Sequence, residues 1–173
     1  MIKKISLPLT DKAICDLHAG EQVLLSGELF TARDAAHKRI ISLMREEKPL
    51  PVALDGATIY YVGPCPTPAG KIVGSCGPTT SSRCDTYTPL LIEHGLRGMI
   101  GKGQRSLDVV DSIKKNRAVY FVAIGGAGAL YARCVLSCEI VAFEDLGAEA
   151  IHRFVVKDFP VVVAIDSIGQ SIY

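Results

Sequence analysis

The sequence has no uninterrupted apolar run near the roughly 20 residues that cross a bilayer. A membrane-spanning helix is therefore not expected, although 49% of residues are hydrophobic and the mean hydropathy is +0.28. The surplus apolar surface is expected to meet a partner. Neither sign of charge forms a block, and the formal net charge is +1. A nucleic-acid footprint needs clustered Lys and Arg, so that class is set aside. The six cysteines (Cys15, Cys65, Cys76, Cys84, Cys134 and Cys138) include no C-x-x-C pair. A hydrophobic chain of 173 residues has no need of disulfide staples, and most thiols are expected to be reduced. The stretch Met1–Thr10 carries two lysines but lacks the long apolar core and small-residue cleavage site of a secretory signal, which points to the cytoplasm. There is no internal repeat, low-complexity segment or evident linker. A single layered α/β domain over residues 1–173 is the expected architecture, burying roughly 70% of the surface that the unfolded chain exposes.

What the sequence does have is concentrated in Gly74-Ser75-Cys76-Gly77-Pro78-Thr79-Thr80-Ser81-Ser82-Arg83. Glycines let a backbone approach a ligand, hydroxyls donate or accept hydrogen bonds, and a guanidinium grips a carboxylate or phosphate with a planar fork. This is a binding loop for a small anion.

Along the chain, Glu21–Leu25 reads as a strand ending in a turn at Ser26-Gly27. Thr31 and Asp34 fit a capping pattern, with Ala36, Ile40, Leu43 and Met44 at helical spacing until Lys48-Pro49. Ala57–Val62 reads as a strand, and a turn-rich Pro66–Gly70 stretch leads to the hydroxyl loop. A helix follows over Tyr87–His94, with Pro89 tolerated in the first turn and Gly95 at the end. Gly98–Ile100 is a brief strand before Gly101-Lys102-Gly103, and Val109, Val110 and Ile113 form a helical stripe. Ala118–Ile124 reads as a buried strand entering Gly125-Gly-Ala-Gly128, where tight packing against the sheet is the better account than a nucleotide turn. Ala129–Ala132 reads as a helical turn. Cys138–Phe143 and Pro160–Ile165 read as strands, with a helix over Ala148–Phe154 between them.

Three cations stand where the chain leaves a strand or enters a helix: Arg33, Arg83 and Lys102. Each is mounted to reach a ligand, and a charge-assisted hydrogen bond contributes about 1.5–3 kcal/mol. The alternative is neutralisation by a neighbour, Asp34 for Arg33 and Asp85 for Arg83. Among Thr79, Thr80, Ser81 and Ser82, three are expected to satisfy loop backbone groups and one to face chemistry. His37 lies one helical turn beyond Arg33 and can reach the same pocket as a proton carrier, or serve structure alone. His18, His94 and His152 have no metal-ligand spacing with the cysteines, so no metal is assigned to this chain.

The segments Ser26–Arg39, Gly77–Arg83, Ile100–Gly103 and Lys157–Pro160, taken together and in order, resemble the β subunit of class I fumarate hydratase, equivalent to the carboxyl-terminal domain of the single-chain enzymes and related to the L(+)-tartrate dehydratase β subunit. The resemblance covers nearly the whole chain. It implies a swivelling β/β/α domain closing over a [4Fe-4S] cluster carried by an α subunit, in a hetero-oligomer acting on a dicarboxylate. It also implies that Arg33, Arg83 and Lys102 bind substrate carboxylates; with the loop hydroxyls Thr79, Thr80, Ser81 and Ser82 they are the expected substrate-binding residues. Thr79 would face the reacting carbon in proton transfer, with His37 as a further contributor. Cys84 stands where the family pattern leads us to expect methionine, an exchange between apolar sulfur side chains. The short tail after Asp166 looks more like fumarase β than the longer tartrate dehydratase chains. Fumarate and tartrate both remain open as substrates, and a non-catalytic small-anion binding domain is the rival from another class.

Overall fold

The order of small apolar strands and amphipathic helices produces a sheet that closes on itself. A computed structural model describes residues 1–173. Its elements are β1 (Lys3–Ser6), α1 (Asp11–Cys15), β2 (Gln22–Thr31), α2 (Asp34–Arg45), β3 (Thr58–Tyr60), α3 (Thr88–Glu93), β4 (Gly98–Gly101), α4 (Leu107–Asn116), β5 (Val119–Val122), α5 (Gly128–Cys134), β6 (Val135–Ala142) and β7 (Ile151–Ile165). Strands β2, β3, β4 and β5 run parallel in that order, and β7 lies antiparallel to both β5 and β2. Five strands thus form a closed ring. Strand β1 adds to one side of β2 and β6 to one side of β7.

Side chains alternate between the two faces of each strand, which splits the apolar residues into two cores. Tyr60, Ile100, Val119 and Phe121 point inward to meet Phe154, Val156, Phe159, Val161 and Val163 of β7. The aromatic rings of Tyr60, Tyr131 and Phe159 stack there, with centroids 4.6–6.3 Å apart. Ile59, Tyr61, Met99 and Tyr120 point outward and are covered by Ala36, Ile40 and Ile41 of α2, Leu91 and Ile92 of α3, and Val109 and Ile113 of α4. Strands covered on both faces explain the unbroken apolar runs TIY and VYFV. The chain is therefore a mixed α/β domain around a barrel-like sheet. No helix is long and apolar enough to cross a membrane.

Several expected elements are present: α2, α4, a helix at Thr88–Glu93 with Pro89 in its first turn, and α5 where a helical turn was expected. Three are corrected. Ser26-Gly27 is no turn, because β2 continues through it to Thr31. Gly27 sits at φ +130° at a register shift opposite β7, and a Cβ there would lie 2.5 Å from the Leu7 carbonyl. Thr31 is not a helix cap either. It ends β2, its hydroxyl accepts from the His152 N–H at 3.0 Å, and α2 starts from Arg33 without a side-chain cap. The helix expected over Ala148–Phe154 is replaced by a short 3-10 segment at Glu144–Glu149 and the start of β7 at Ile151. Phe154 and Val156 there point into the inner core while Arg153 and Val155 face the other side of the sheet, and pairing on both edges overrides the local helical spacing. Strand β1 and helix α1 were not expected from the sequence.

Candidate functional site

Because β2, β3, β4 and β5 are parallel, their carboxyl ends emerge on one side, the place where open α/β sheets gather ligand-binding loops. Arg33 follows β2, the 74–83 loop is tied to the end of β3, Lys102 follows β4, and the Gly125–Gly128 turn follows β5.

The hydroxyl loop is held as a pseudo-strand. Thr79 donates both its N–H, at 2.8 Å, and its hydroxyl, at 3.0 Å, to the Tyr61 carbonyl just beyond β3. With that proton engaged, the Thr79 oxygen presents lone pairs. Thr80 pairs in parallel with Lys102, so that the Lys102 N–H donates to the Thr79 carbonyl at 3.3 Å and the Ser81 N–H to the Lys102 carbonyl at 2.9 Å. The Thr79 hydroxyl and the lysine are thereby held on neighbouring backbones. Ser81 is buried, its Oγ 2.8 Å from the Tyr120 hydroxyl, whereas Thr80, Ser82 and Arg83 are exposed. A Cβ on Gly101 would lie 1.9 Å from Ser81 Oγ, which accounts for the first glycine of Gly-Lys-Gly. Gly125 packs beside the Lys102 side chain, where a Cβ would make only an ordinary contact, 3.7 Å from Lys102 Cδ.

The three cations differ in their company. Arg33 is a quarter exposed; its Nε is buried without a hydrogen bond and lies 3.9 Å from Glu149 Oε1. Arg83 is about half exposed, its Nε 3.2 Å from Asp34 Oδ2. Lys102 is exposed and enters no ion pair. The neighbours suggested by sequence are exchanged: Asp34 turns to Arg83, and Asp85 turns to Arg105 at 2.6 Å. Gly63 is what lets Arg33 lie where it does, because a Cβ there would be 2.9 Å from Arg33 Nη1.

His37 shares the start of α2 with Arg33 but is fully buried. Its Nδ1 lies 2.8 Å from the Arg33 carbonyl, and its backbone N–H donates to the same oxygen at 2.9 Å. Rings of Tyr61 and Tyr87 and the Cys84 sulfur surround it, and Nε2 has no partner. Burial pushes its pKa down to about 4, with Arg105 adding to the fall and the Arg33 carbonyl and Asp34 opposing it. The imidazole is neutral at pH 7. Burial likewise pushes the Cys84 thiol up to about 12, so this cysteine is an inert packing group beside the histidine.

Sequence reasoning missed Arg105, whose side chain is entirely buried and makes hydrogen bonds or ion pairs with Asp85, Tyr61 and Thr88. Its one visible signal was an arginine two residues after Gly103 in a short polar loop. Of the histidines set aside, His152 pairs its Nδ1 with the Ala150 carbonyl and the Thr31 hydroxyl. Gly125-Gly-Ala-Gly128 is packing, as expected, but against the loop: a Cβ on Gly128 would lie 2.2 Å from Ser75 Oγ. No group of three or more His, Cys, Asp or Glu side chains is arranged to hold a metal ion. A cleft of about 460 Å³ between the 68–75 segment and α5 is lined by Lys71, Ile72, Ser75 and Arg133, not by these three cations. Arg83 and Lys102 stand on open surface, where water screens a bound anion.

The family model described as fumarase C-terminus matches residues 2–173. Fumarate hydratase 2 of Leishmania major is 40% identical over 156 residues, which cover 89% of this chain and 28% of that protein. The anaerobic class I fumarate hydratase of Escherichia coli (strain K12) is 40% identical over 151 residues, covering 86% of this chain and 28% of that protein. A putative L(+)-tartrate dehydratase subunit beta of Methanocaldococcus jannaschii is 35% identical over 171 residues, covering 95% and 88%. The chain therefore spans little more than a quarter of the length of the two hydratases and most of the tartrate dehydratase subunit.

Proposed function

Because the chain belongs to the fumarase C-terminal family, we propose that it is the β subunit of a class I fumarate hydratase, catalysing the reversible hydration of fumarate to (S)-malate together with an α subunit. The observation that carries the reading is the gathering of Arg33, Arg83, Lys102 and the Thr79 hydroxyl at the carboxyl ends of four parallel strands. In hydration a hydroxyl joins one central carbon and a proton the other, and charge builds on the carboxylate beside the protonated carbon. Arg33, Arg83 and Lys102 bind the two carboxylates and stabilise that charge. Thr80, Ser81 and Ser82 shape the loop between them. Thr79 acts as a relay: in hydration its hydroxyl, which donates to the Tyr61 carbonyl in the chain alone, passes that proton to the carbon while taking one from an acid supplied by the α subunit, and dehydration runs the same transfer in reverse. His37 supports Arg33 through the Arg33 backbone carbonyl, which its Nδ1 and its backbone N–H both address.

The six cysteines and the acidic and histidine side chains of this chain do not fit a [4Fe-4S] cluster, since no three of them converge. In this reading the α subunit carries the cluster. When bound there, it supplies a Lewis-acidic iron that polarises substrate oxygens. The open position of Arg83 and Lys102 supports a swivelling domain whose partner closes over the dicarboxylate and excludes water, in a cytoplasmic hetero-oligomer. A second reading, an L(+)-tartrate dehydratase β subunit, is favoured by the match over 88% of that relative's length.

Co-expression with the cluster-bearing chain, followed by anaerobic reconstitution and a panel of fumarate, (S)-malate and L(+)-tartrate, tests the assignment. Turnover of fumarate by the complex and none by this chain alone is expected. Turnover by the isolated, cluster-free chain would overturn the division of labour, and preference for tartrate would select the second reading.

A further inference from the structure

Arg105 is a strongly engaged cation with a fully buried side chain that the proposed chemistry does not use. Its side chain has no exposure, its Nε lies 2.6 Å from Asp85 Oδ1, and its Nη2 donates to Thr88 Oγ1 at 2.8 Å and to the Tyr61 hydroxyl at 3.2 Å. The guanidinium also faces two aromatic rings, 5.2 Å from the centroid of Tyr61 and 4.8 Å from that of Tyr120. A buried ion pair adds little net stability compared with well-packed apolar groups, so a role in stability alone accounts poorly for this arrangement.

Its partners are distributed in a telling way. Tyr61 carries the carbonyl that holds Thr79. Asp85 and Thr88 follow the 3-10 turn that contains Ser81 and Arg83. The second oxygen of Asp85 accepts the Ser106 N–H at 2.7 Å, which fixes the start of α4 just after Gly-Lys-Gly. The Tyr120 hydroxyl lies 2.8 Å from both Ser81 Oγ and the Gly103 carbonyl, bridging the hydroxyl loop and the lysine loop. One guanidinium therefore touches or adjoins every segment that sets the position of Thr79 relative to Lys102.

We propose that Arg105 is a positioning residue, with Tyr120 and Asp85 as its relays, that locks the hydroxyl loop and the Gly-Lys-Gly loop in the register needed to bind and turn over a dicarboxylate. The proposal rests on the fumarate hydratase reading for the substrate but not for the geometry. Lysine at 105 keeps the charge beside Asp85 but lacks the planar fork that reaches Thr88 and Tyr61 together. Phenylalanine at 120 keeps the ring under the guanidinium and removes only the bridging hydroxyl.

The test measures amide hydrogen exchange in the full chain and steady-state kinetics in the reconstituted complex, for wild type, Arg105→Lys, Arg105→Met and Tyr120→Phe. Exchange at the Ser81 and Lys102 amides should speed by about 10-fold or more in each variant, while the Met99 and Phe121 amides of the sheet stay at wild-type rates. In the complex kcat/KM should fall by about 10- to 100-fold, because misplacement near 1 Å is enough for that loss. Arg105→Lys should retain more activity than Arg105→Met. Uniformly faster exchange across the sheet, or unchanged exchange at Ser81 and Lys102, overturns the proposal. If the wild-type complex does not hydrate fumarate, the functional reading fails, and the exchange comparison still decides the role of Arg105.

Discussion

Acid should expose the cost of burying His37. The imidazole is fully buried, and its pKa is depressed from the ordinary 6.5 to about 4, chiefly by desolvation. Above pH 6.5 it is neutral in both the folded and unfolded chain and has no effect on the balance. Between 6.5 and about 4 the unfolded chain takes up a proton that the folded chain refuses, so stability falls as pH falls. Below about 4 both states are protonated and the loss is complete. The gap corresponds to about 3 kcal/mol, at roughly 1.4 kcal/mol per pH unit. Groups facing the ring are the Arg33 carbonyl, Asp34, Arg105, Tyr61, Tyr87 and Cys84. Urea unfolding of wild type and His37→Leu at steps from pH 7.5 to 4 isolates the effect, since other groups, including the buried His152, whose pKa is also lowered by burial, are present in both proteins. The variant starts less stable because it loses the bond to Arg33, but its curve should be flatter by about 3 kcal/mol over the window. Parallel curves would mean that the His37 imidazole does not resist protonation in the folded chain.

Two further outcomes follow from the site geometry. Gly101→Ala should lower stability by about 1–3 kcal/mol in thermal unfolding, because its Cβ would meet Ser81 Oγ at 1.9 Å and the buried Tyr61 ring at 2.7 Å; Gly77→Ala, with its nearest contact at 3.5 Å, should be almost neutral, and equal losses would show that crowding is not the cause. Lys102→Met should leave the melting temperature within the error of a surface change while reducing kcat/KM of the complex by about 10- to 100-fold, equivalent to one charge-assisted hydrogen bond; an unchanged kcat/KM removes the lysine from substrate binding.

The glycine-hydroxyl-arginine segment and Gly-Lys-Gly were legible as a mostly irregular loop and a strand end because their glycines and proline disfavour long helices and strands, and both lie at the carboxyl side of the parallel strands. Helices α2 and α4 were legible from apolar spacing, which their packing on the sheet bears out. Ion-pair partners were not legible. Asp34 adjoins Arg33 in sequence, yet successive residues on a helix do not face one another, and its carboxylate reaches Arg83 instead. Ring closure was hidden for a different reason: β7 is specified by pairing with β2, β5 and β6, whereas its first residues, read locally, share the spacing of a helix. Arg105 was missed because nothing local marks an arginine as buried; only the convergence of Tyr61, Tyr120 and Asp85 does.

The strand that closes the ring is synthesised well after the strand it pairs with. Gln22 pairs with Val162 and Phe30 with Arg153, so β2 waits for β7 before one of its edges is satisfied. Until Ile151–Ile165 has left the ribosome, β2 and β5 each present a row of free N–H and C=O groups, a template for pairing with another nascent chain. Joining elements so distant in sequence is intrinsically slow. The demand this fold makes on the cell is therefore one of timing: its exposed edges need shelter during translation, not after it.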